Sequence, residues 1–182
     1  MARVEVLFEG YGADRVASTV SVVWDGPVVA VIDPGMVPDR RVILEPLARQ
    51  GISPKDVTDV VISHHHPDHT INIALFPEAR VHDNWAIYER DVWTARQAEG
   101  FRLADSLWLI ETPGHTPQDI TILADTADGV VAFTHLWWGR EAKTDRLAWD
   151  LGRLMEGRDR VRELATLIVP GHGEPFPVSE AP

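Results

Sequence analysis

The sequence predicts an α+β protein in which two β-rich halves pack face to face with helices on their outer sides. In each half, apolar runs separated by Gly, Asp and Pro turns are followed by apolar residues at helical spacing. Hydrophobic residues make up 45% of the 182 residues, which is enough to bury a continuous core. We therefore expect a single domain over residues 1–182, since this length suits one core.

Turn signals divide the first half into short segments. The predicted strands cover residues 4–8, 16–24, 28–32 and 57–62, and the predicted helices cover 38–50 and 69–76. Gly51 ends the first helix, and residues 53–56 (SPKD) form a capped turn before the fourth strand. That strand points directly at His64.

The second half repeats this pattern more loosely. Its predicted strands cover residues 79–82, 106–111, 119–124, 130–134 and 167–169, and its predicted helix covers 145–164. We find no internal repeat, low-complexity tract or linker in the chain.

The charge balance is acidic, with 28 acidic against 17 basic residues and a formal charge of −11. This field repels nucleic acid and anionic lipid, although bound dications would invert the sign inside a pocket and admit a small anionic substrate. The N-terminus carries no signal-peptide pattern and no apolar run reaches membrane-spanning length, so we expect a cytoplasmic location and no membrane partner. Cysteine is absent, so any metal must be held by nitrogen and oxygen.

Histidines are concentrated in residues 64–69 (HHHPDH). His64 and His66 project to the same side of an extended segment, because strand side chains alternate, so both imidazoles can reach one ion. A proline then ends the extended geometry and lets Asp68 and His69 turn toward a neighbouring position. The segment therefore predicts two adjacent metal sites; solvent-exposed or helix-capping histidines are the alternative.

Two further histidines lie in glycine-containing turns that follow apolar strands. These are His115, in TPGHTP, and His172, in PGHG. Glycine beside a ligand lets the backbone approach closely and leave a strand end at a fixed angle.

The H-x-H-x-D-H segment and the turns at His115 and His172 together resemble the metallo-β-lactamase superfamily over nearly the whole chain. The resemblance implies a four-layer αβ/βα sandwich with two divalent ions at the edge between the sheets. Zinc is the favoured metal, with manganese or iron as alternatives. By the same resemblance, the first ion is held by His64, His66 and His115, and the second by Asp68, His69 and His172.

Asp33, in IDPG, resembles the family's aspartate that supports the metal ligands. Such a carboxylate can accept the second ring N–H of a ligating histidine and fix its orientation. An ordinary Asp-Pro-Gly turn is the alternative.

The chain departs from the family pattern at His135, which stands where relatives place an aspartate that bridges the two ions. Asp68 would then be the only carboxylate in contact with the ions, and a neutral imidazole favours binding one ion through one nitrogen. We therefore expect a weak or empty second site, with His135 as a ligand. An edge residue bonded to a neighbouring turn is the alternative for His135.

Seven tryptophans are many for this length, and most are expected to fill the core. Trp137 and Trp85 are predicted to wall a substrate pocket. His65 and His82 are expected to lie outside the site.

The predicted function is hydrolysis of an ester, thioester, lactone or phosphodiester by a metal-activated water, with Asp68 moving a proton to the leaving group. A small-molecule substrate is favoured. Residues 66–69, 75–77, 112–115 and 169–173 also resemble short relatives of animal proteins linked with RNA cleavage, although no basic track leads to the site. The oligomeric state is open, with a homodimer as one alternative.

Two functions of other classes stay open. The first is a mononuclear-iron oxidoreductase resembling the dioxygenases of this superfamily, with His64, His115 and His135 as ligands. The second is a catalytically silent metal-binding protein, motivated by the missing bridging aspartate.

Overall fold

The computed structural model describes all residues, Met1–Pro182. Its strands are β1 (Arg3–Phe8), β2 (Tyr11–Gly12), β3 (Val16–Ala17), β4 (Val20–Asp25), β5 (Val28–Ile32), β6 (Asp59–Val61), β7 (Arg80–His82), β8 (Ala86–Glu89), β9 (Val92–Ala95), β10 (Arg102–Ala104), β11 (Leu107–Glu111), β12 (Ile120–Thr126), β13 (Gly129–Thr134), β14 (Leu167–Pro170) and β15 (Phe176–Pro177). Its α-helices are α1 (Arg41–Arg49), α2 (Pro67–Thr70) and α3 (Leu151–Leu164), and 3-10 turns occur at Pro54–Asp56, Ile73–Leu75 and Val178–Glu180.

The strands form two large sheets and one small hairpin. The first sheet has the order β1-β4-β5-β6-β7-β8-β9, the second has the order β10-β11-β12-β13-β14-β15, and β2 pairs with β3. Strands β5, β6 and β7 run parallel, as do β13 and β14, whereas the other neighbouring pairs are antiparallel. Mixed sheets of this kind leave room for helices on their outer faces.

Alternating side chains divide the core into three layers. Inward-facing residues of the first sheet, such as Ile32, meet residues of the second sheet, such as Phe133, in the central cluster. Outward-facing residues of the first sheet pack against Leu47 of α1, and those of the second sheet pack against Leu154 of α3. The layers therefore follow the order helix, sheet, sheet, helix, which confirms the predicted sandwich.

Several predicted boundaries are wrong for identifiable reasons. The predicted strand 16–24 is interrupted at Ser18 and Thr19, whose hydroxyl groups donate to the carbonyls of Asp33 and Gly173. The predicted helix 145–164 begins only at Leu151, where Asp150 caps it by accepting from the backbone N–H of the third residue. Strands β2, β8, β9, β10 and β15 were not predicted; β9 is exposed along its length and has no buried apolar face to mark it.

The strand directions place several loops at one end of the sandwich. The parallel strands β5 and β6 end in Asp33 and the 64–69 segment, and β11, β13 and β14 run in a common direction in the other sheet. His115, His135 and His172 follow the latter strands. None of the helices has the length and apolar character needed to cross a bilayer.

Candidate metal centre

Three imidazoles, one from the second sheet's loops, converge at this end of the sandwich. The Nε2 atoms of His64 and His115 each lie 3.0 Å from Nδ1 of His66. Nitrogen ligands about 2.05 Å from a tetrahedral zinc ion lie about 3.3 Å from one another, so this spacing suits a metal ion. The structure thus brings together the residues assigned to the first ion.

A second group lies beside the first. Oδ2 of Asp68 is 3.6 Å from Nε2 of His69 and 3.6 Å from Nε2 of His172. The ring of His69 lies 4.4 Å from that of His64, measured between centroids, so the two groups are neighbours. His64, His69, His115 and His172 are buried.

Hydrogen bonds to the outer ring nitrogens fix the tautomers of the ligands. Nδ1 of His172 donates to the carbonyl of Ala17 at 2.8 Å, because a carbonyl oxygen can only accept. Nδ1 of His64 donates to the hydroxyl of Ser63 at 3.0 Å, since that hydroxyl gives its own proton to Asp33. The Nε2 atoms of both rings therefore present lone pairs to the centre.

His69 gives the clearest sign that a cation belongs here. Its Nδ1 donates to Oδ2 of Asp33 at 2.8 Å, which makes the buried Nε2 the atom that carries the lone pair in the neutral ring. No hydrogen-bond donor reaches that atom, and the nearest charged group is the Asp68 carboxylate, which also only accepts. A lone pair and a carboxylate that face each other without a donor are the donor set that a divalent metal satisfies.

Burial keeps His64 and His172 neutral, which is the state that binds a metal. Burial, with a smaller contribution from the neighbouring imidazoles, holds the pKa of His64 well below its ordinary value. Burial and the imidazole of His69 lower the pKa of His172 to about 4. At neutral pH both rings are therefore ready to bind a metal without first losing a proton.

Asp33 accepts hydrogen bonds from Ser63 and His69 and thereby supports the 64–69 segment. Its carboxylate accepts from the backbone N–H of Ser63 at 2.6 Å and from the Ser63 hydroxyl at 2.7 Å, in addition to the ring of His69. The residue has a left-handed backbone with φ of +49°, which aspartate tolerates better than most residues. Two residues later, Gly35 approaches Asp68 so closely that a Cβ would lie 1.6 Å from its carbonyl oxygen.

Asp145 plays the corresponding part for His115, and the sequence reasoning missed it. Its Oδ2 accepts from Nδ1 of His115 at 2.6 Å, while its Oδ1 accepts from the backbone of Leu147 at 2.8 Å. Burial opposes the charge on Asp145, but these hydrogen bonds outweigh it and lower the pKa of the carboxyl. No motif marks this aspartate, which lies in an irregular segment that was predicted as helix.

His135 lies fully inside the cluster. Its Nε2 is 3.1 Å from Nε2 of His172, and its ring centroid is 4.1 Å from that of His115. Gly171 leaves the space that the ring fills, because a Cβ there would lie 2.4 Å from Cδ2 of His135. Burial and the surrounding imidazoles keep the pKa of His135 well below its ordinary value. The ring thus contacts the ligand set, and its Nδ1 has no partner.

The prediction that Trp137 walls a pocket is wrong. Trp137 is completely buried and packs edge-on against Phe176 in the cluster beneath α3. Trp138 faces the site instead, with its ring 4.7 Å from that of His172. Two consecutive residues after a strand point to opposite sides, which the sequence pattern left ambiguous.

The remaining predicted residues lie around the centre. Nε2 of His65 donates to Asp83 at 3.0 Å, and its ring stacks on Trp85, which is 50% exposed. His82 is buried against Asp59 at 2.8 Å. Both histidines therefore point away from the ligand groups, and Trp85 stacks on His65 rather than on a residue of those groups.

Comparison with known proteins identifies the family of this chain. The model of the metallo-beta-lactamase superfamily matches residues 13–174. Metallo-beta-lactamase domain-containing protein 1 of Xenopus laevis is 31% identical over 193 residues, which covers 96% of this chain and 81% of that protein. The human protein of the same name is 36% identical over 162 residues, and this chain covers only 60% of its length.

The chain therefore belongs to the metallo-beta-lactamase superfamily, whose members are mostly metal-dependent hydrolases that bind divalent metals such as zinc or iron. A metallo-beta-lactamase of Thermotoga maritima superposes with a TM-score of 0.75 and 23% identity, over 97% of this chain and 99% of that one. An N-acyl homoserine lactone hydrolase, solved with N-hexanoyl-L-homoserine at its catalytic metal centre, gives a TM-score of 0.68 and 15% identity, over 94% and 92%. At these identities the two structures support the fold alone.

Proposed function

We propose that this chain is a metal-dependent hydrolase, acting as a single domain, that opens an ester, thioester, lactone or phosphodiester bond of a small molecule. The observation that carries the proposal is the convergence of five imidazoles and one carboxylate at one place, where buried Nε2 of His69 has no hydrogen-bond partner and faces the Asp68 carboxylate. Such a donor set belongs to a cation, and no catalytic Ser or Cys arrangement is required for the chemistry.

Each of the two ligand groups is proposed to bind one metal ion. The first group consists of His64, His66 and His115, and the second of Asp68, His69 and His172. Divalent ions bound there would supply Lewis acidity and an activated water at neutral pH. Asp33 and Asp145 orient one histidine of each group by accepting its Nδ1–H.

Asp68 is the proposed proton carrier. It is the only carboxylate in the two groups, and its side chain keeps 17% of its surface exposed, whereas His69 has none. A partly exposed carboxylate beside the reacting bond can take a proton from the attacking water and pass it to the leaving group.

His135 makes the two groups unequal. A neutral imidazole in place of an anionic bridge offsets none of the repulsion between two dications. We therefore propose that one ion is bound firmly and that the second is bound weakly and supplied by excess metal. This arrangement still supports hydrolysis, because superfamily chemistry requires only an activated water beside a polarised bond.

Metal analysis combined with hydrolysis tests the proposal. The parent protein, purified with excess zinc or manganese and dialysed, is expected to retain one to two ions per chain and to hydrolyse at least one substrate among phosphodiester, thioester and lactone panels. His115→Ala is expected to lose metal and at least about 100-fold in rate. The matched control is His65→Ala, which removes a histidine of the same segment that contacts Asp83 instead.

Three outcomes count against the hydrolase. A parent protein that binds no divalent metal overturns the metal centre itself. One firmly bound iron with oxygen uptake assigns the chain to the oxidoreductase alternative. Metal binding without turnover of any substrate, in parent and variants alike, assigns it to the silent alternative.

A further inference from the structure

A cavity of ≈480 Å³ lies beside the metal centre. This size suits a small-molecule substrate. Its walls include Trp138 and Asp145 on the inner side and Lys143, Arg146 and Leu147 toward solvent. The cavity is thus bounded by the segment that follows β13.

The inner wall connects the cavity to the ligands. The ring of Trp138 lies 5.9 Å from His115 and 5.4 Å from His135, measured between centroids. Asp145 bonds to His115 directly. A molecule in this cavity would therefore have one end within reach of the bond-breaking centre.

The outer wall carries positive charge in a protein of charge −11. Lys143, one of only two lysines in the chain, and Arg146 form no salt bridge. Asp145 on the same wall is anionic, but it is buried and its two oxygens face His115 and the backbone of Leu147, so it forms an ion pair with neither cation. Glu141 is the one exposed acid on the cavity wall.

The backbone of this segment is fixed, so the cations are held near the cavity. The buried guanidinium of Arg158 donates to the carbonyls of Leu136, Ala142 and Lys143 at 2.9, 2.9 and 2.8 Å. Apolar surface lies next to the charges, since Leu147 is 69% exposed. Charge and apolar surface on one rigid wall favour a ligand that has both.

We propose that this cavity binds the substrate and that the substrate carries a carboxylate together with an apolar body. The apolar body lies against Trp138 and Leu147, and the carboxylate contacts Lys143 and Arg146. This assignment rests on the proposed hydrolysis, since it places the scissile bond between the cavity and the metal centre.

A binding experiment tests the cavity independently of turnover. The probes are 2-naphthoate and the neutral 2-naphthalenemethanol, titrated calorimetrically into the metal-loaded parent at low ionic strength. Each exposed charge contact is worth up to about fivefold, so Lys143→Gln with Arg146→Gln is expected to weaken 2-naphthoate up to about 20-fold and to leave the alcohol unchanged. Glu141→Gln is expected to act in the opposite direction and strengthen 2-naphthoate about two- to fivefold.

Lys55→Gln is the matched control, because it removes the other lysine, which lies in the 3-10 turn Pro54–Asp56. Equal binding of 2-naphthoate by the parent and the double variant overturns the proposal. The carboxylate of the probe would then contact the metal and neither Lys143 nor Arg146. Equal weakening by Lys55→Gln also overturns it, because a general field effect would then explain the result.

The hydrolytic arm separates this proposal from the proposed function. A phenyl ester with a distal carboxylate is compared with the same ester in which a neutral carboxamide replaces that carboxylate. The double variant is expected to raise KM for the carboxylated ester about 20-fold. Hydrolysis of both esters with equal KM overturns the substrate class and leaves the hydrolase standing. Selective 2-naphthoate binding by a protein that hydrolyses neither these esters nor any substrate of the phosphodiester, thioester and lactone panels overturns the hydrolase and leaves the cavity standing.

Discussion

The two halves of the molecule supply the proposed metal ligands in different ways. The first half supplies four proposed ligands from six consecutive positions, 64–69, and the single carboxylate of Asp33 supports this segment through Ser63 and His69. The second half supplies His115, His135 and His172 from three separate turns. One carboxylate can support residues that are adjacent in sequence, whereas residues from separate turns need a larger element that packs against several of those turns.

Helix α3 is that element, since it packs against the turns that carry His115 and His135. Its Leu154 packs so closely under Gly114 that a Cβ on the glycine would lie 2.6 Å from the leucine Cβ, and its Gly157 leaves room for Leu136. Arg158 of the same helix holds the segment between His135 and Asp145. We therefore expect α3 substitutions to disturb the second-half ligands and to spare residues 64–69.

The largest effect is expected for Arg158→Met. The change leaves three backbone carbonyls without their donor in a buried place, which costs about 3–5 kcal/mol of unfolding free energy. Urea unfolding measures this loss, and chelator competition is expected to show weaker binding of the ion held by His115. Arg153→Met, on an exposed position of the same helix, is the control and is expected to change stability by less than about 0.5 kcal/mol. An equal effect of both variants would show that helix stability alone is being measured.

This contrast also explains what the sequence could and could not predict. The first-half ligands and Asp33 follow from a contiguous motif at a strand end, and the alternating apolar runs predict the sandwich. The contact of Asp145 with His115 joins residues 30 positions apart, and Asp145 lies in the irregular segment between β13 and α3, so no local period marks it. Trp137 was predicted to line the pocket, whereas Trp138 faces the site, because their orientations depend on packing against Phe176 and the histidines.

Gly171→Ala tests how tightly the second half packs around His135. The new methyl group would lie 2.4 Å from the His135 ring, and such overpacking costs about 1–3 kcal/mol. Adding His135→Ala removes the collision, so a double-mutant cycle in urea is expected to show a coupling of similar size. Additive effects would mean that Gly171 is required for a reason other than this ring.

Asp33→Asn and Asp145→Asn compare the supports of the two halves directly. Each change weakens the orientation of one ligand and is expected to lower affinity for one ion by about 10- to 100-fold, or about 1.4–2.7 kcal/mol. Asparagine tolerates the left-handed backbone of position 33, so the first variant keeps its fold. Asp33→Asn is expected to weaken binding of the ion held by His69, and Asp145→Asn binding of the ion held by His115. Chelator competition followed by the absorption spectrum of bound cobalt distinguishes the two ions. Loss of the same ion in both variants contradicts the assignment.

The smallest effect is expected from Asp119, whose contribution to the pH dependence of the chelator-treated protein opposes that of the buried histidines. His172, with its pKa lowered by burial to about 4, stays neutral in the folded protein while the unfolded chain binds a proton below pH 6.5, so stability falls as pH falls. This contribution is about 2 kcal/mol between pH 7 and pH 5, and the lowered pKa values of His64 and His135 act in the same direction. Burial raises the pKa of Asp119 to about 6, so there the folded protein holds the extra proton and gains about 1 kcal/mol over the same interval.

The parent is therefore expected to lose at least about 1 kcal/mol between pH 7 and pH 5. Asp119→Asn removes the opposing contribution, so its loss should be larger by about 1 kcal/mol, as urea unfolding at the two pH values would show. Both groups lie in turns of the second half, where burial rather than a sequence motif sets the charge state. A stability that rises on acidification in the Asp119→Asn variant would mean that the histidine cluster is already protonated and cannot be the neutral ligand set described for this centre.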